Sequence, residues 1–243
     1  MVDLGLDSVL SEEVQAEESW CARMPLDCAQ DLAWQADPRL KEGAGRLRRA
    51  NLKRVVDVVG AFVSLVLLSP FLIAVSILIK LGSRGPVFFR QKRTGYDGAT
   101  FTIYKFRTMA ASEDGPIVVQ ATRNDCRTTR LGSFLRRTSV DELPNLINVL
   151  RGEMSLVGPR PHAVPHDRYW SMLVPEYEGR FMVKPGLTGL AQVEGYRGGT
   201  PNVESMAARV SHDLNYIRNW SMRLDVEIIL RTLLIGPFDP AAY

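Results

Sequence analysis

From Val55 to Ile79 the chain carries 25 consecutive residues, VVDVVGAFVSLVLLSPFLIAVSILI, in which Asp57 is the only charge. A run of that length exceeds the ~20 apolar residues that cover the hydrocarbon core of a bilayer. It starts too far along the chain, and behind too acidic a stretch, to read as a secretory signal. It is expected to anchor the chain in a membrane, with the residues after it forming a domain on one side. Near its centre stands Ser69-Pro70. Proline removes a backbone donor and clashes with the preceding turn, which kinks a helix. The Ser69 hydroxyl is placed to satisfy the backbone freed at such a bend. Lys53 and Arg54 precede the run, and Lys80 and Arg84 follow it. Basic residues mark the cytoplasmic side of a membrane segment, so basic flanks at both ends fit a re-entrant helix that enters and leaves on that side, broken at Ser69 and Pro70. Proline also occurs in ordinary spanning helices, and composition alone leaves both topologies open.

The charge of the rest is uneven. Residues 1–40 are net −7, which leaves +10 for residues 41–243, and 24 of the 30 basic residues are Arg. Guanidinium grips phosphate or carboxylate with a planar fork, where Lys acts as a point charge. Phosphorylated small molecules, anionic lipid and nucleic acid are all compatible with that balance. Cys21, Cys28 and Cys126 have no metal or redox spacing and are expected as reduced thiols. His162 and His166 stand four apart, but Pro161 and Pro165 interrupt the segment, so they read as polar loop or surface residues and not as metal ligands.

Three parts follow: a weakly structured acidic extension (1–45), a basic lead-in suited to lipid headgroups plus the membrane helix (46–84), and a helix-rich α/β domain (85–243). The domain opens with two expected strands joined at Gly95–Gly98, placing Phe101, Ile103, Lys105 and Arg107 on one face of a small β-hairpin. Residues 112–126 read as a polar loop. Apolar stripes mark three helices: Leu143, Leu146, Ile147 and Leu150, with Pro144 tolerated in the first turn; Met206, Val210, Leu214 and Ile217; and Leu224, Ile228, Ile229 and Leu233. LVGPRPHAVP (156–165) and KPGLTGLAQVEGYRGG (184–199) read as loops.

The chemistry concentrates in residues 135–161. Asp141 and Glu142 stand at an expected helix start, where exposed N–H groups favour carboxylates and phosphates. Adjacent helical side chains diverge by ~100°, so the pair suits divided labour, one nucleophile and one cation ligand, better than a shared proton. Arg136, Arg137, Arg151 and Arg160 bracket it. Phosphoryl transfer needs such a set: a cation, positioned guanidinium groups and an in-line nucleophile. From the dipeptide alone, a plain helix cap is the stronger reading. The charge and the membrane segment by themselves also fit an anchored scaffold for acidic partners; a nucleic-acid module is weakest, because no recognition motif is present.

The longer pattern resembles the bacterial sugar transferase family, the monotopic phosphoglycosyl transferases. Its blocks are the Ser69-Pro70 run, RQKRTG (90–95), YKFRTM (104–109), RLGSFLRRTSVDELPNLINVLRGEMSLVGPRP (130–161), KPGLTGLAQVEGYRG (184–198) and DLNYIRNWSMRLDVEIILRTL (213–233). The resemblance implies transfer of a sugar 1-phosphate from a UDP-sugar to a polyprenyl phosphate such as undecaprenyl phosphate, releasing UMP. The sugar is expected to be a hexose, galactose or glucose, the step the first at the membrane in exopolysaccharide or O-antigen-type synthesis, and the site the cytoplasmic face of a bacterial inner membrane. It implies Asp141 as the nucleophile that becomes a covalent aspartyl phosphosugar, and Glu142 as a ligand of Mg2+. Lys105, Arg107, Arg136, Arg137 and Arg160 are then phosphate-binding groups. Lys184, Pro185, Gly186, Thr188, Gln192, Arg197 and Asp213 are assigned to the nucleotide sugar. Without the additional spans many relatives carry, the chain looks like the short exopolysaccharide-type form, with membrane lipid as a partner and no nucleic acid.

Overall fold

A computed structural model describes residues 33–109, 125 and 127–235. The cysteines, the first 32 residues and most of the expected polar loop lie outside them. The fold is helix-rich, with one long apolar helix and a small antiparallel sheet. In order it runs α1 (Ala33–Ala36), α2 (Pro38–Arg49), α3 (Asn51–Gly82), β1 (Phe88–Thr94), β2 (Thr100–Phe106), α4 (Arg130–Thr138) and a 3-10 turn (Val140–Asn145). Then come α5 (Leu146–Arg151), β3 (Ser155–Val157), α6 (Val164–Leu173), a 3-10 turn (Tyr177–Met182), β4 (Gly186–Thr188), α7 (Leu190–Val193), α8 (Val203–Arg218) and α9 (Met222–Ile235).

Helix α2 starts before the expected domain boundary, and that boundary is corrected here. Asp37 caps it, accepting from the amides of Arg39 and Leu40, with Pro38 in the first turn. Leu40 and Ala44 are fully buried against Leu214, Ile217 and Tyr177 of the main core. A Cβ on Gly43 would lie 2.0 Å from the Ile217 carbonyl, so α2 and α8 cross at backbone contact. Asp37 also binds Arg218 at 2.7 Å. Residues 37–45 thus belong to the domain, held by apolar contacts that an acidic average conceals.

Helix α3 is long and apolar enough to cross a membrane. Proline 70 cannot donate to the carbonyl four residues back, that of Val66, and the Ser69 hydroxyl donates to that oxygen instead at 2.8 Å. Ala61 and Leu65 pack on Ile103, Leu146, Val149 and Met154. Leu72, Val75 and Ile79 pack on Phe106 and Leu135. Both ends of the helix therefore rest on the domain, while Phe62, Val66, Leu67, Phe71 and Ile73 are exposed.

The lone charge of the run does not face lipid. Asp57 accepts from Ser155 Oγ at 2.8 Å and the Leu156 amide at 2.9 Å. Lys53, expected as a headgroup contact, is buried on Asp225 at 2.7 Å. Tyr216 and Trp220 donate to the same carboxylate. Arg54 donates to the Val149 and Leu150 carbonyls. The basic lead-in is thus partly turned inward.

The β1–β2 hairpin is antiparallel, with Phe88 opposite Phe106 and Thr94 opposite Thr100. Phe101 and Ile103 reach the α3–α5 cluster and Lys105 shares their face, as alternation predicts. Of the helical stripes, Met206, Val210, Leu214 and Ile217 are all buried, whereas Leu233 of α9 is 69% exposed. The first stripe is split: Leu143 and Pro144 lie in a 3-10 turn, and α5 begins at Leu146. The two segments read as loops each supply a short strand, β3 and β4, paired in parallel with Ser155 opposite Gly186 and Val157 opposite Thr188. Three residues per strand are too few for any periodicity to announce.

Candidate active site

Asp141 and Glu142 follow a sharp reversal. Ser139 ends α4 in the left-handed region, φ 61°, and its carbonyl accepts from the Glu142 amide at 3.1 Å. Arg197 donates to the Ser139 hydroxyl and braces that reversal. Both carboxylates are buried, 7% and 8% exposed.

Their environments differ. One Glu142 oxygen accepts from Lys105 Nζ at 2.8 Å and from Arg160, and the other accepts from Arg160 Nη1 at 2.9 Å. Burial alone would raise the Glu142 carboxyl, but the charges and hydrogen bonds of Arg160 and Lys105 hold it well below the usual carboxylate range. Asp141 receives no hydrogen bond among the described residues. Burial, then the Glu142 charge, push its carboxyl up to about 6 against the pull of Lys105, Arg136 and Arg160. One member is a fixed anion; the other is a buried carboxylate whose oxygens carry no hydrogen bond from a described residue. Burial lowers the Lys105 ammonium despite Glu142.

A buried second layer holds Arg160. Arg180 donates to the Arg160 carbonyl and, through Nε, to Asp213 at 2.8 Å. Asp213 is 1% exposed, so it is not a direct nucleotide contact in this structure; it anchors Arg180. Burial raises its carboxyl against Arg180. Tyr177 donates to Asp167 at 2.7 Å and lies 2.6 Å from His162 Nδ1, while Arg209 Nη1 lies 3.2 Å from His162 Nε2. His162 lies in a loop, one of the two placements expected, but is buried there. Burial and then Arg180 and Arg209 keep it neutral, with its pKa well below the ordinary value. Arg93 donates to the Pro161 carbonyl at 3.3 Å, and burial together with Arg160 lowers its pKa to about 10. Its Nε is buried without a partner. Sequence reasoning missed Arg93, Arg180 and Arg209 as site residues. Only Arg93 carried a signal, its place in RQKRTG.

The remaining candidates separate. Arg136 donates to Thr108 Oγ1 at 2.9 Å, and its charge is felt by Asp141. Arg137 is exposed and does not join them. Arg107 is corrected from phosphate ligand to clamp: its guanidinium donates to the Ser83 and Arg84 carbonyls and Ser83 Oγ at the end of α3. Pro185, Gly186, Thr188 and Gln192 form a brace and not an open nucleotide surface. The Pro185 carbonyl accepts from Ser155, the Thr188 carbonyl from Gly158, and the Gly186 amide donates to Pro159, which fixes the residues leading to Arg160. A Cβ on Gly186 would lie 2.1 Å from Gly158 N, so the contact admits no side chain. Thr188 Oγ1 meets Thr232 Oγ1 at 2.6 Å, and Gln192 is buried. Lys184 lies apart, beside Arg54.

For a metal ion, the described residues hold no group of three His, Cys, Asp or Glu side chains. Magnesium takes one or two carboxylates plus substrate phosphates and water. The open Asp141 oxygens beside Glu142 fit that kind of binding and not a protein cage. Glu142 accepts from Lys105 and Arg160 on one oxygen and from Arg160 alone on the other, which leaves that second oxygen with acceptor capacity.

Residues 48–236 match the sequence profile of the bacterial sugar transferases. A UDP-glucose:undecaprenyl-phosphate glucose-1-phosphate transferase of Caulobacter vibrioides is 56% identical over 181 residues, 74% of this chain and 68% of that protein. One of the same name from Escherichia coli (strain K12) is 50% identical over 192 residues, 79% of this chain and 41% of that protein. A UDP-N-acetylgalactosamine-undecaprenyl-phosphate N-acetylgalactosaminephosphotransferase of Aeromonas hydrophila is 40% identical over 190 residues, 77% of this chain and 44% of that protein. The matched region thus spans under half the length of the latter two. With the profile covering the membrane helix, the carboxylate pair and the Arg160 loop together, the chain belongs to the bacterial sugar transferase family.

Proposed function

We propose that this chain transfers glucose 1-phosphate from UDP-glucose to undecaprenyl phosphate and releases UMP, as the first membrane step of exopolysaccharide synthesis. The observation that carries the reading is the asymmetry of the pair: Glu142 locked by two cations, Asp141 buried beside it with no donor on its oxygens. An Asp141 oxygen attacks the sugar-bearing phosphorus of the donor. The bond from that phosphorus to the bridging oxygen breaks, UMP leaves with the electron pair, and a glucose-phosphoryl aspartate remains. An oxygen of undecaprenyl phosphate then attacks the same phosphorus and regenerates Asp141. Lys105, Arg160, Arg136 and Arg93 supply the positive charge that holds the diphosphate. The Asp141–Glu142 pair would hold magnesium together with that diphosphate, and the ion supplies further charge neutralisation. The names of the Caulobacter and Escherichia relatives support glucose as the sugar.

Helix α3 is proposed as re-entrant, with the domain on the cytoplasmic face. Ala61 and Leu65 towards one end, and Val75 and Ile79 towards the other, pack on the same domain. That arrangement favours a helix dipping into one leaflet over one that carries its ends to opposite faces. In that position the carboxylates would lie near the interface where a lipid-linked phosphate resides, which would turn the encounter into a positioned one.

The test is intact-mass measurement of detergent-purified protein with UDP-glucose and Mg2+ and no acceptor. A glucose-phosphate adduct in wild type, absent in Asp141→Asn, is expected. UMP release that needs the acceptor, with no adduct at any time, would replace the covalent step by direct displacement. No UMP under either condition would refute the transferase reading.

A further inference from the structure

Lys184 was expected at the nucleotide and stands elsewhere. Apart from burial, the groups that lower or raise its ammonium are Arg54 and Asp57; Asp141, Glu142 and Arg160 are not among them. A Cβ built on Gly152 would sit 3.4 Å from Arg54 Nη2 and 3.6 Å from Lys184 Nζ, which puts the two cations at most about 7 Å apart across an open glycine. Neither has a carboxylate partner among the described residues. Arg54 uses two donors on the Val149 and Leu150 carbonyls, and Lys184 makes no hydrogen bond there. Asp57, the acid that faces them, is spent on Ser155 and Leu156. Two half-buried cations converge with no anion between them, a place where a bound anion would offset the burial and the Arg54 charge that lower the Lys184 ammonium.

The place indicates the ligand. Arg54 is in the first turns of α3, where Leu52, Val55 and Val59 are already exposed. In the proposed membrane position this is the level of the lipid phosphates. Two charge-assisted contacts of about 2.8 Å fit one phosphate group across that span. The α5 carbonyls, which would repel an anion, are covered by Arg54.

We infer that Arg54 and Lys184, across Gly152, bind the phosphate of a membrane lipid where α3 enters the bilayer. The inference rests on the membrane position proposed above. The phosphate belongs either to a headgroup diester or to the monoester of the acceptor.

The experiment is native mass spectrometry of full-length, detergent-purified protein titrated separately with phosphatidylglycerol, undecaprenyl phosphate, phosphate-free diacylglycerol and inorganic phosphate. Lys184→Gln removes one cation that has no protein partner. Gly152→Asn tolerates the left-handed backbone, φ +83°, and fills the space between the cations without changing charge. Lys184→Gln is expected to weaken phospholipid binding about fivefold, the contribution of one basic residue near the surface. Gly152→Asn is expected to weaken it by obstruction, and diacylglycerol binding is expected to stay unchanged in both. Loss for both phosphate lipids assigns a general headgroup site; loss for undecaprenyl phosphate alone assigns the acceptor. Wild-type affinity in both variants, or a shift equal for diacylglycerol, overturns the inference, as does inorganic phosphate binding as tightly as the lipids. Adduct formation in the same preparation reports separately on the transferase reading.

Discussion

Asp141→Asn is expected to stabilise the protein while abolishing its chemistry. The carboxyl titrates at about 6 instead of 3.8, because burial and the Glu142 charge outweigh Lys105, Arg136 and Arg160. The folded state therefore holds the proton more tightly than the unfolded one. The stability this confers is full below pH 3.8 and is lost as pH rises through about 6. At pH 7.5 the carboxyl is ionised in both states, and the shift amounts to about 3 kcal/mol against folding. Asparagine has the same shape and never ionises, so it recovers most of that energy. For a chain of this size the gain corresponds to about 6–12 °C in Tm. Thermal unfolding of both proteins in detergent between pH 4 and 8 measures it. The gap between the curves should open between pH 4 and about 6, stay constant above that, and close towards pH 4. A variant no more stable at pH 7.5, or one whose advantage is independent of pH, would refute the account of Asp141 as a strained buried anion. In the proposed mechanism such a cost is the usual trade between stability and function.

The same shift sets the acid limb of catalysis: adduct formation should fall about tenfold per unit below pH ~6, and quenched-flow mass measurement placing the limb near 4 contradicts it. Asp213→Asn leaves Arg180 buried without its acid, so a loss of about 3–5 kcal/mol is expected in denaturant unfolding. Its effect on adduct rate should largely vanish in an Arg160→Ala background, because Asp213 acts through Arg180 and Arg160; equal losses in both backgrounds would separate the two residues. Ser69→Ala should cost about 1–3 kcal/mol, since the Val66 carbonyl loses its donor; unchanged thermal stability would show that carbonyl to be satisfied otherwise. Arg49→Cys and Arg84→Cys, made separately without the native cysteines, should both react with an impermeant maleimide from the same side of sealed vesicles; labelling from opposite sides would exclude the re-entrant helix.

The features legible in the sequence share one property: their signal is local. An apolar run, a strand alternating at Phe101, Ile103 and Lys105, the stripe Met206–Val210–Leu214–Ile217 and the Asp141-Glu142 step in its motif each lie in one continuous segment. Local periodicity states which face is buried and says nothing of what that face meets. So Lys105 and Arg107, two apart at the end of β2, take opposite fates, one on Glu142 and the other on the Ser83 and Arg84 carbonyls just past α3. Lys53 and Asp57 read as the flank and blemish of a membrane run, yet they bind Asp225 and β3. Composition made residues 33–45 part of an acidic tail until Leu40 and Ala44 found α8. The sequence determined the segments, the membrane preference and the place of the carboxylate pair. Only tertiary packing decided which cations stand at that pair, because Arg160 reaches Glu142 from 18 residues away and Arg180 meets Asp213 from 33.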